Sequence, residues 1–321
     1  VTTLVTGGSG LVGSHVIAAL RARHEPVRAL VLERSRDAVL ALGAEPVVGD
    51  VTDDAAWQRA AAGVDAIVHA AALVRQRVGW SEYERVNVGA TRLAIAAAER
   101  TGARLVHISS VAVYGGSAAY GAIPERRDED YSFRELADHD LYARSKRAAE
   151  DLVREAGRRG LAAVAIRPNV IYGERDRLFT PMVVLFCRLG FAPMPGPGTN
   201  HLACVYAGNV AAAVAAARDR ATPGFRAYNV TGDRPPVFTA RDFVAAFARA
   251  LGRPVRHLRV PAGLIWAMMS VLRGPRMGRD SVSFLTGENP WAFDRIRREL
   301  GWEPPFDTAT AVARTAKAFA R

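Results

Sequence analysis

At 321 residues, half of them hydrophobic and 23% charged, the chain is long enough to bury a large core, and its composition excludes a disordered or fibrous protein. Its 43 basic and 32 acidic residues leave a net charge of +11. The basic residues are scattered, with no basic run interleaved with aromatics, so a solvated arginine-rich surface is expected rather than a nucleic-acid partner.

The first half alternates short β-branched runs with longer helical ones. Strands are predicted at 1–6, 27–31, 45–49, 64–69, 103–109 and 161–167, with helices between them, notably 11–23, 81–100 and 138–158. This order predicts an α/β fold of Rossmann type, a doubly wound parallel sheet covered by helices on both faces. The pattern changes after about residue 173. "FAPMPGPGTN" (191–200) reads as a Pro/Gly-rich loop, "TGDRPP" (231–236) as a second break, and helical segments dominate to the end. The expected division is a dinucleotide-binding domain over 1–173, with a helix and strand returning at about 205–232, and a smaller, mainly helical substrate lobe from 174–204 and 233–321.

The chain begins directly on a predicted strand, so no leader is expected there and the default location is cytoplasmic. No apolar run reaches the roughly 20 residues that span a bilayer. "VPAGLIWAMMSVL" (260–272) is too short and reads as a buried helix, with a membrane-surface contact as the alternative. Cys187 and Cys204 show neither a CxxC pattern nor a histidine at ligand spacing, so they read as reduced thiols, and no metal site is expected.

The first chemistry-bearing stretch is "LVTGGSGLVGSH" (4–15), which follows a strand and opens a helix. Gly8, Gly10 and Gly13 fit G-x-G-x-x-G, while Gly7, Gly10 and Gly13 fit G-x-x-G-x-x-G. Such glycines permit a tight turn, close approach of backbone amides to a pyrophosphate, and close packing of helix on sheet. Residues Gly7, Gly10, Leu11, Val12 and Gly13 are therefore expected to bind a dinucleotide.

The second is "DLYARSKRAAE" (140–150). Lys146 stands four residues after Tyr142 on a predicted helix, so the two share a face. Only Lys146 and Lys317 are lysine in this arginine-rich chain. A compact ammonium suits a role of lowering a phenol's pKa and holding a nicotinamide ribose, whereas arginine is a planar, permanently charged fork.

Together, "TGGSGLVG" and the later Tyr-x-x-x-Lys resemble the short-chain dehydrogenase/reductase superfamily in its extended branch, the NAD-dependent epimerase/dehydratase family. "GDVTD" (49–53) is similar to the adenine-holding segment, which implies Asp50 and Val51. "VHAAA" (68–72) resembles the small-residue turn beside the cofactor ribose, implying Ala70, Ala71 and Ala72. "VNVGAT" (86–91) places Asn87 at the family's helix asparagine. "RPNVIYGERD" (167–176) resembles the motif after the sixth strand, implying Pro168, Asn169 and Val170. From "LVHISSVAVYGG" (105–116), the S-x-x-x-Y-G ending read at Tyr114 assigns Ser110 the catalytic hydroxyl beside Tyr142 and Lys146, with Ser109 its neighbour in the cofactor shell. Tyr142 and Lys146 are expected to touch the cofactor as well.

NAD enzymes commonly end the second strand in an acid that binds the adenosine ribose. Val31 stands there instead, followed by Leu32, and Glu33 comes two residues late. Arg34 and Arg36 are placed to bind a 2′-phosphate, so the cofactor is read as NAD(P) with a lean to NADP.

Within the extended branch, a dehydratase is disfavoured because Val111 and Ala112, not acids, follow the catalytic serine. Sugar-nucleotide epimerases carry an arginine for the diphosphate where this chain has Leu202 in "PGTNHLACVYAGNVAAA" (197–213). The lobe is apolar in "FTPMVVLFCRLGFAPMP" (179–195) and "GLIWAMMSVL" (263–272). With "RPNVIYG" it resembles the 3β-hydroxysteroid dehydrogenase-like group. The expected function is an oxidoreductase interconverting a secondary alcohol and a ketone on a fairly apolar small molecule. A sugar-nucleotide epimerase with tightly bound NAD and a non-catalytic dinucleotide-binding protein are the alternatives. Tyr114, Tyr172 and Trp80 are candidate substrate contacts. A homodimer through the helices at about 81–100 and 138–158 is what the resemblance implies.

Overall fold

The computed structural model describes residues 1–74, 78–115, 127–273 and 283–320. Its centre is a sheet of seven parallel strands in the order β10-β6-β5-β4-β1-β2-β3. In chain order these are β1 (Thr3–Thr6), β2 (Val27–Val31), β3 (Glu45–Val48), β4 (Ala66–His69), β5 (Arg104–Ile108), β6 (Ala162–Pro168) and β10 (Gly224–Val230). Each predicted strand of the first half is present within two residues at either end, and the predicted returning strand, "RAYNVTG", is β10 beside β6.

Parallel neighbours require crossovers, and the connecting helices cover both faces. On one face lie α1 (Leu11–Arg21) and α8 (Ala207–Arg220), packed on Val5, Val68, Val106 and Ile166. On the other lie α3 (Asp54–Ala61), α5 (Ala90–Thr101) and α6 (Leu141–Arg158), packed on Leu4, Ile67, Leu105 and Ala163. Alternate strand residues thus feed opposite faces, and both faces are apolar because both are covered. The remaining helix of this half, α2 (Arg36–Leu40), is a short turn leading into β3.

The predicted helix at 81–100 is a composite. A short α4 (Trp80–Tyr83) runs through a π-turn at Glu84–Gly89 into α5. The wide turn places Asn87 inside the molecule, and such π-bulges recur where a helix must aim a side chain.

Beyond β6 the chain forms two small parallel pairs. One is β7 (Val170–Tyr172) with β9 (Cys204–Tyr206), and the other is β8 (Phe191–Pro195) with β11 (Arg256–Val260). A second apolar cluster, including Tyr172, Val184, Phe243, Phe247 and Val312, draws on α7 (Thr180–Leu189), α9 (Ala240–Ala250) and α12 (Thr308–Phe319). Two further helices are α10 (Ala262–Arg273) and α11 (Asp294–Leu300). The expectation of a buried helix at 260–272 is corrected: Ile265 of α10 is buried, but Leu264, Trp266 and Val271 are exposed. Among the described residues no helix is long and apolar enough to cross a membrane.

Candidate active site

The cleft lies at the carboxyl ends of β1, β4, β5 and β6, and the turn from β1 into α1 forms its floor. Gly7 has φ +68°, and a Cβ there would fall 2.8 Å from the Ala71 amide nitrogen and 2.9 Å from the Ala70 carbonyl carbon. Only glycine allows the β1 and β4 turns to meet this closely. A Cβ on Gly13 would fall 2.3 Å from the Gly7 carbonyl oxygen, so Gly13 lets α1 seat on its own turn. Gly8, by contrast, faces Ile17 and Val39 in the core, which makes the Gly7–Gly10–Gly13 spacing the operative one.

Gly10 caps α1 without a side-chain hydrogen bond, and no acid occupies the first turn. The amides of Leu11, Val12 and Gly13 therefore present unsatisfied donors and the positive end of the helix dipole to the cleft. Across the cleft, Asn169 is buried at the end of β6. Its Nδ2 donates to the Thr231 carbonyl at 2.8 Å, while its buried Oδ1 has no partner among the described residues. A backbone cradle that admits no Cβ, facing an orphaned carboxamide oxygen, fits a dinucleotide carrying a pyrophosphate at one end and a hydrogen-bonding carboxamide at the other. The residues thus fit NAD(P). Pro168 and Val170 flank Asn169, and the Val170 amide donates to the Ala203 carbonyl at 3.2 Å.

At the rim, Arg34 and Arg36 are exposed just past β2 and form no ion pair among the described residues. Ser35, between them, accepts a hydrogen bond from the Ser9 hydroxyl at 3.0 Å, which ties this turn to the glycine loop. Sequence reasoning passed over both serines, although their positions inside the two loops were the available signal. Asp50 is exposed and accepts from the Thr52 amide and hydroxyl, each at 2.9 Å, while the Val51 carbonyl accepts from the Trp57 indole at 2.7 Å. Ala70, Ala71 and Ala72 are half-buried along the turn after β4.

The structure brings Tyr142, Ser110 and Lys146 together. Asp140 caps α6 by accepting from the Ala143 amide, and one turn separates Tyr142 from Lys146. Ser110 leaves β5 in extended conformation and caps the 3-10 turn Val111–Tyr114, accepting from the Ala112 amide at 3.2 Å. Its hydroxyl also lies near enough to the Tyr142 phenol to influence its pKa. Burial pushes that phenol up to about 12, Ser110 pulls it back, and Tyr83 and Asp140 raise it. The Lys146 ammonium is buried and donates to the Ile108 carbonyl. Burial lowers its pKa to about 8, against the pull of the Glu150 carboxylate. The expectation that Lys146 lowers the phenol is therefore not met in this state. Burial outweighs any such effect, and the lysine's hydrogen bond goes to the backbone.

Two residues of the expected cofactor shell are corrected. The Ser109 side chain is buried and donates to the Glu150 carboxylate at 2.6 Å, pointing under the sheet instead of into the cleft. Asn87 accepts from the Leu73 amide at 2.7 Å and donates to the Leu73 carbonyl and to the Ser145 hydroxyl. With its amide committed, Asn87 braces the turn after β4 against α6. Tyr114 and Tyr172 are likewise interior rather than substrate contacts. Tyr114 stacks on Trp291 at 4.4 Å and bonds Asn229, and Tyr172 donates to Asp233 at 2.5 Å. Trp80 is half-buried under the Arg144 guanidinium, 5.1 Å from its ring centroid.

Beneath the site lies a feature the motifs did not show. Glu150, one turn after Lys146, is fully buried and paired with Arg167 of β6, whose guanidinium reaches both carboxylate oxygens and the Tyr114 hydroxyl at 2.7 Å. Arg154 adds a second cation at 3.0 Å. The i, i+4, i+8 spacing of Tyr142, Lys146 and Glu150 was the signal for it. Beside Lys146, His69 and His107 are paired in register across β4 and β5. Burial, with a further push from Lys146, lowers His69 to about 3 and His107 well below its usual value, so both rings are neutral.

Residues 3–231 match the NAD dependent epimerase/dehydratase family model. The chain belongs to this family. It is 33% identical, over 94% of its length and 91% of the relative's, to the 4-hydroxy-2-methyl-3-oxo-4-farnesyl-3,4-dihydroquinoline-1-oxide ketoreductase of Stigmatella aurantiaca. It is 29% identical, over 97% of its length and 89% of the relative's, to a 3-beta-hydroxysteroid dehydrogenase of Mycolicibacterium neoaurum. Among solved structures, MoeE5 in complex with UDP-glucose and NAD shares the fold, with a TM-score of 0.74 at 22% identity over 99% of this chain and 98% of that one. The protein is an NAD(P)-dependent extended short-chain dehydrogenase/reductase, and its relatives mark it as an oxidoreductase.

Proposed function

We propose that this enzyme interconverts a ketone and a secondary alcohol on a fairly apolar small molecule, with Tyr142 as general acid/base. The observation that carries the reading is the placement of Ser110 beside Tyr142, one helical turn from buried Lys146, beside the glycine cradle. The farnesylated and steroid compounds named for the relatives support an apolar substrate.

NAD(P) supplies or accepts the hydride at the carbinol carbon when bound. Gly7, Gly10, Leu11, Val12 and Gly13 would hold its pyrophosphate, Ala70 to Ala72 its neighbouring ribose, and Asp50 and Val51 its adenine edge. Asn169 would meet its carboxamide. Arg34 and Arg36, exposed beyond β2 where an acid would select NAD, support a preference for NADP.

In the direction of reduction, Ser110 donates to the substrate carbonyl oxygen and fixes its position. Tyr142, with its pKa near 12, is a protonated phenol at neutral pH and so holds the proton that this oxygen needs. Lys146, mostly charged below about pH 8, places a positive charge where the phenolate develops. In oxidation the same proton returns from the alcohol to the phenolate.

Leu202, where a diphosphate-binding arginine would stand, is buried in the apolar cluster of α7 and α9. A nucleotide-sugar diphosphate would lack that cation, which favours net redox chemistry over epimerisation. The test is Tyr142→Phe, assayed for NADPH and NADH oxidation over hydroxysteroid-type ketones and prenylated ketones. Turnover is expected to fall at least about 100-fold while fluorescence titration still shows cofactor binding. Wild-type turnover in this variant overturns the assignment.

A further inference from the structure

Apart from the cleft, one outer face of the second half of the chain is both apolar and cationic. Thirteen large hydrophobic residues are exposed among the described residues, and seven of them lie on α7, β8, β11 and α10. On α7, Val183, Val184 and Cys187 face the core, while Leu185 and Leu189, one turn apart, face out. Gly190 leads directly into β8, whose register with β11 places Phe191 beside Arg256 and Pro193 beside Leu258 on a common face. Pro261 then opens α10, where Leu264 is 61% and Val271 87% exposed, and Trp266 is exposed as well.

The charges on this unit have one sign. No Asp or Glu occurs between Asp176 and Asp219, nor between Asp242 and Asp280. Arg253 and Arg256 are exposed and form no ion pair among the described residues, and Arg256 shares the face of Phe191, Pro193 and Leu258. A second copy packed face to face would set these cations against their own equivalents. An anionic leaflet supplies both halves at once, acyl chains for the leucines and tryptophan and phosphates for the arginines.

We infer that the α7–β8–β11–α10 face docks on an anionic phospholipid surface. Each arginine near such a surface is worth roughly fivefold in partitioning. The aromatic and aliphatic side chains enter only the headgroup boundary, as expected for an amphipathic surface too short to span. The inference is independent of the reaction assigned above, since vesicle binding is read without turnover.

The experiment is flotation of the full chain with phosphatidylcholine vesicles and with 3:1 phosphatidylcholine:phosphatidylglycerol vesicles, at low salt and in 0.5 M NaCl. The chain is expected to float with the anionic vesicles and to be released by salt. R256Q should lower partitioning roughly fivefold, and L185S/L264S should lower it at least about tenfold. Both variants should keep the wild-type circular dichroism spectrum, because every altered side chain is exposed. Failure to float with anionic vesicles overturns the inference, as does equal binding by wild type and R256Q. Concentration-dependent dimerisation that L185S/L264S abolishes, without vesicle binding, also overturns it and assigns the face to a second copy.

Discussion

Replacing Glu150 with glutamine separates two functions of one buried carboxylate. Glu150 and Arg167 are each no more than 2% exposed, and the guanidinium binds both carboxylate oxygens. Removing the negative charge leaves Arg167 buried without its counter-ion, a change that typically costs about 3–5 kcal/mol. At roughly 2 °C per kcal/mol for a domain this large, Tm should fall by about 6–10 °C in a thermal melt. The carboxylate also opposes the desolvation that lowers Lys146 to about 8. In Glu150→Gln, Lys146 should therefore lose its proton at lower pH, and the alkaline limb of the kcat/KM profile should move to lower pH. Arg167→Met alone should destabilise for the converse reason, and the double variant E150Q/R167M should recover much of the loss because no unpaired charge remains. A Tm loss in the double variant equal to the sum of the two single losses would refute the pairing argument. An unmoved alkaline limb would refute the coupling of Glu150 to Lys146.

Gly7→Ala introduces a Cβ against the Ala71 amide at a residue with φ +68°, so NADPH affinity should fall at least about tenfold in a fluorescence titration while the circular dichroism spectrum is kept. Arg34→Glu with Arg36→Glu should reduce kcat/KM for NADPH by at least about tenfold and leave NADH within about twofold; equal losses for both cofactors would remove the 2′-phosphate reading. Glu174 accepts from His15 and Tyr206, and although burial opposes the shift, these hydrogen bonds hold its carboxyl down to about 2. A depressed carboxyl stabilises the fold above its unfolded value near 4.5 and loses that contribution as pH falls toward 2. Glu174→Gln should therefore be less stable than wild type at pH 6, with the gap in denaturation midpoint closing between about pH 5 and pH 2.

What sequence revealed follows from how local the relevant physics is. The central strands β1, β2, β4, β5 and β6 are legible because a buried parallel strand is a short apolar run bounded by turn residues, and the glycine loop because its spacing answers a steric demand within ten residues. The returning strand β10 was legible for the same reason. The pairing of β8 with β11 was not: Arg256, His257, Leu258, Arg259 and Val260 carry three basic or imidazole side chains, and their partners lie more than 60 residues earlier. Tyr114 and Tyr172 were misread as facing the cleft because a tyrosine near a site motif looks the same whether its hydroxyl meets substrate or, as here, Asn229 and Asp233. Asn87 and Ser109 fell to the same ambiguity. Their motif positions say which loop they occupy, and only the fold says whether the polar atom points into the cleft or beneath it.

The contrast between positions 146 and 167 shows why an arginine-rich chain keeps a lysine here. Arg167 sits inside the sheet with three oxygen acceptors around it, two on Glu150 and one on Tyr114, arranged for a planar fork of donors. A lysine there would leave part of that set unsatisfied. Lys146 meets the opposite situation. Among the described residues the acceptor at its ammonium is the Ile108 carbonyl, and the neutral rings of His69 and His107 lie close enough to feel its charge. A guanidinium in that space would bury donors with nothing to receive them. The compact ammonium reaches that carbonyl with a single donor, one helical turn from Tyr142. The same requirement, that a buried cation match its acceptors in number and direction, thus selects arginine in the sheet and lysine at the site, and it ties the two through Glu150, which neutralises one and tunes the other.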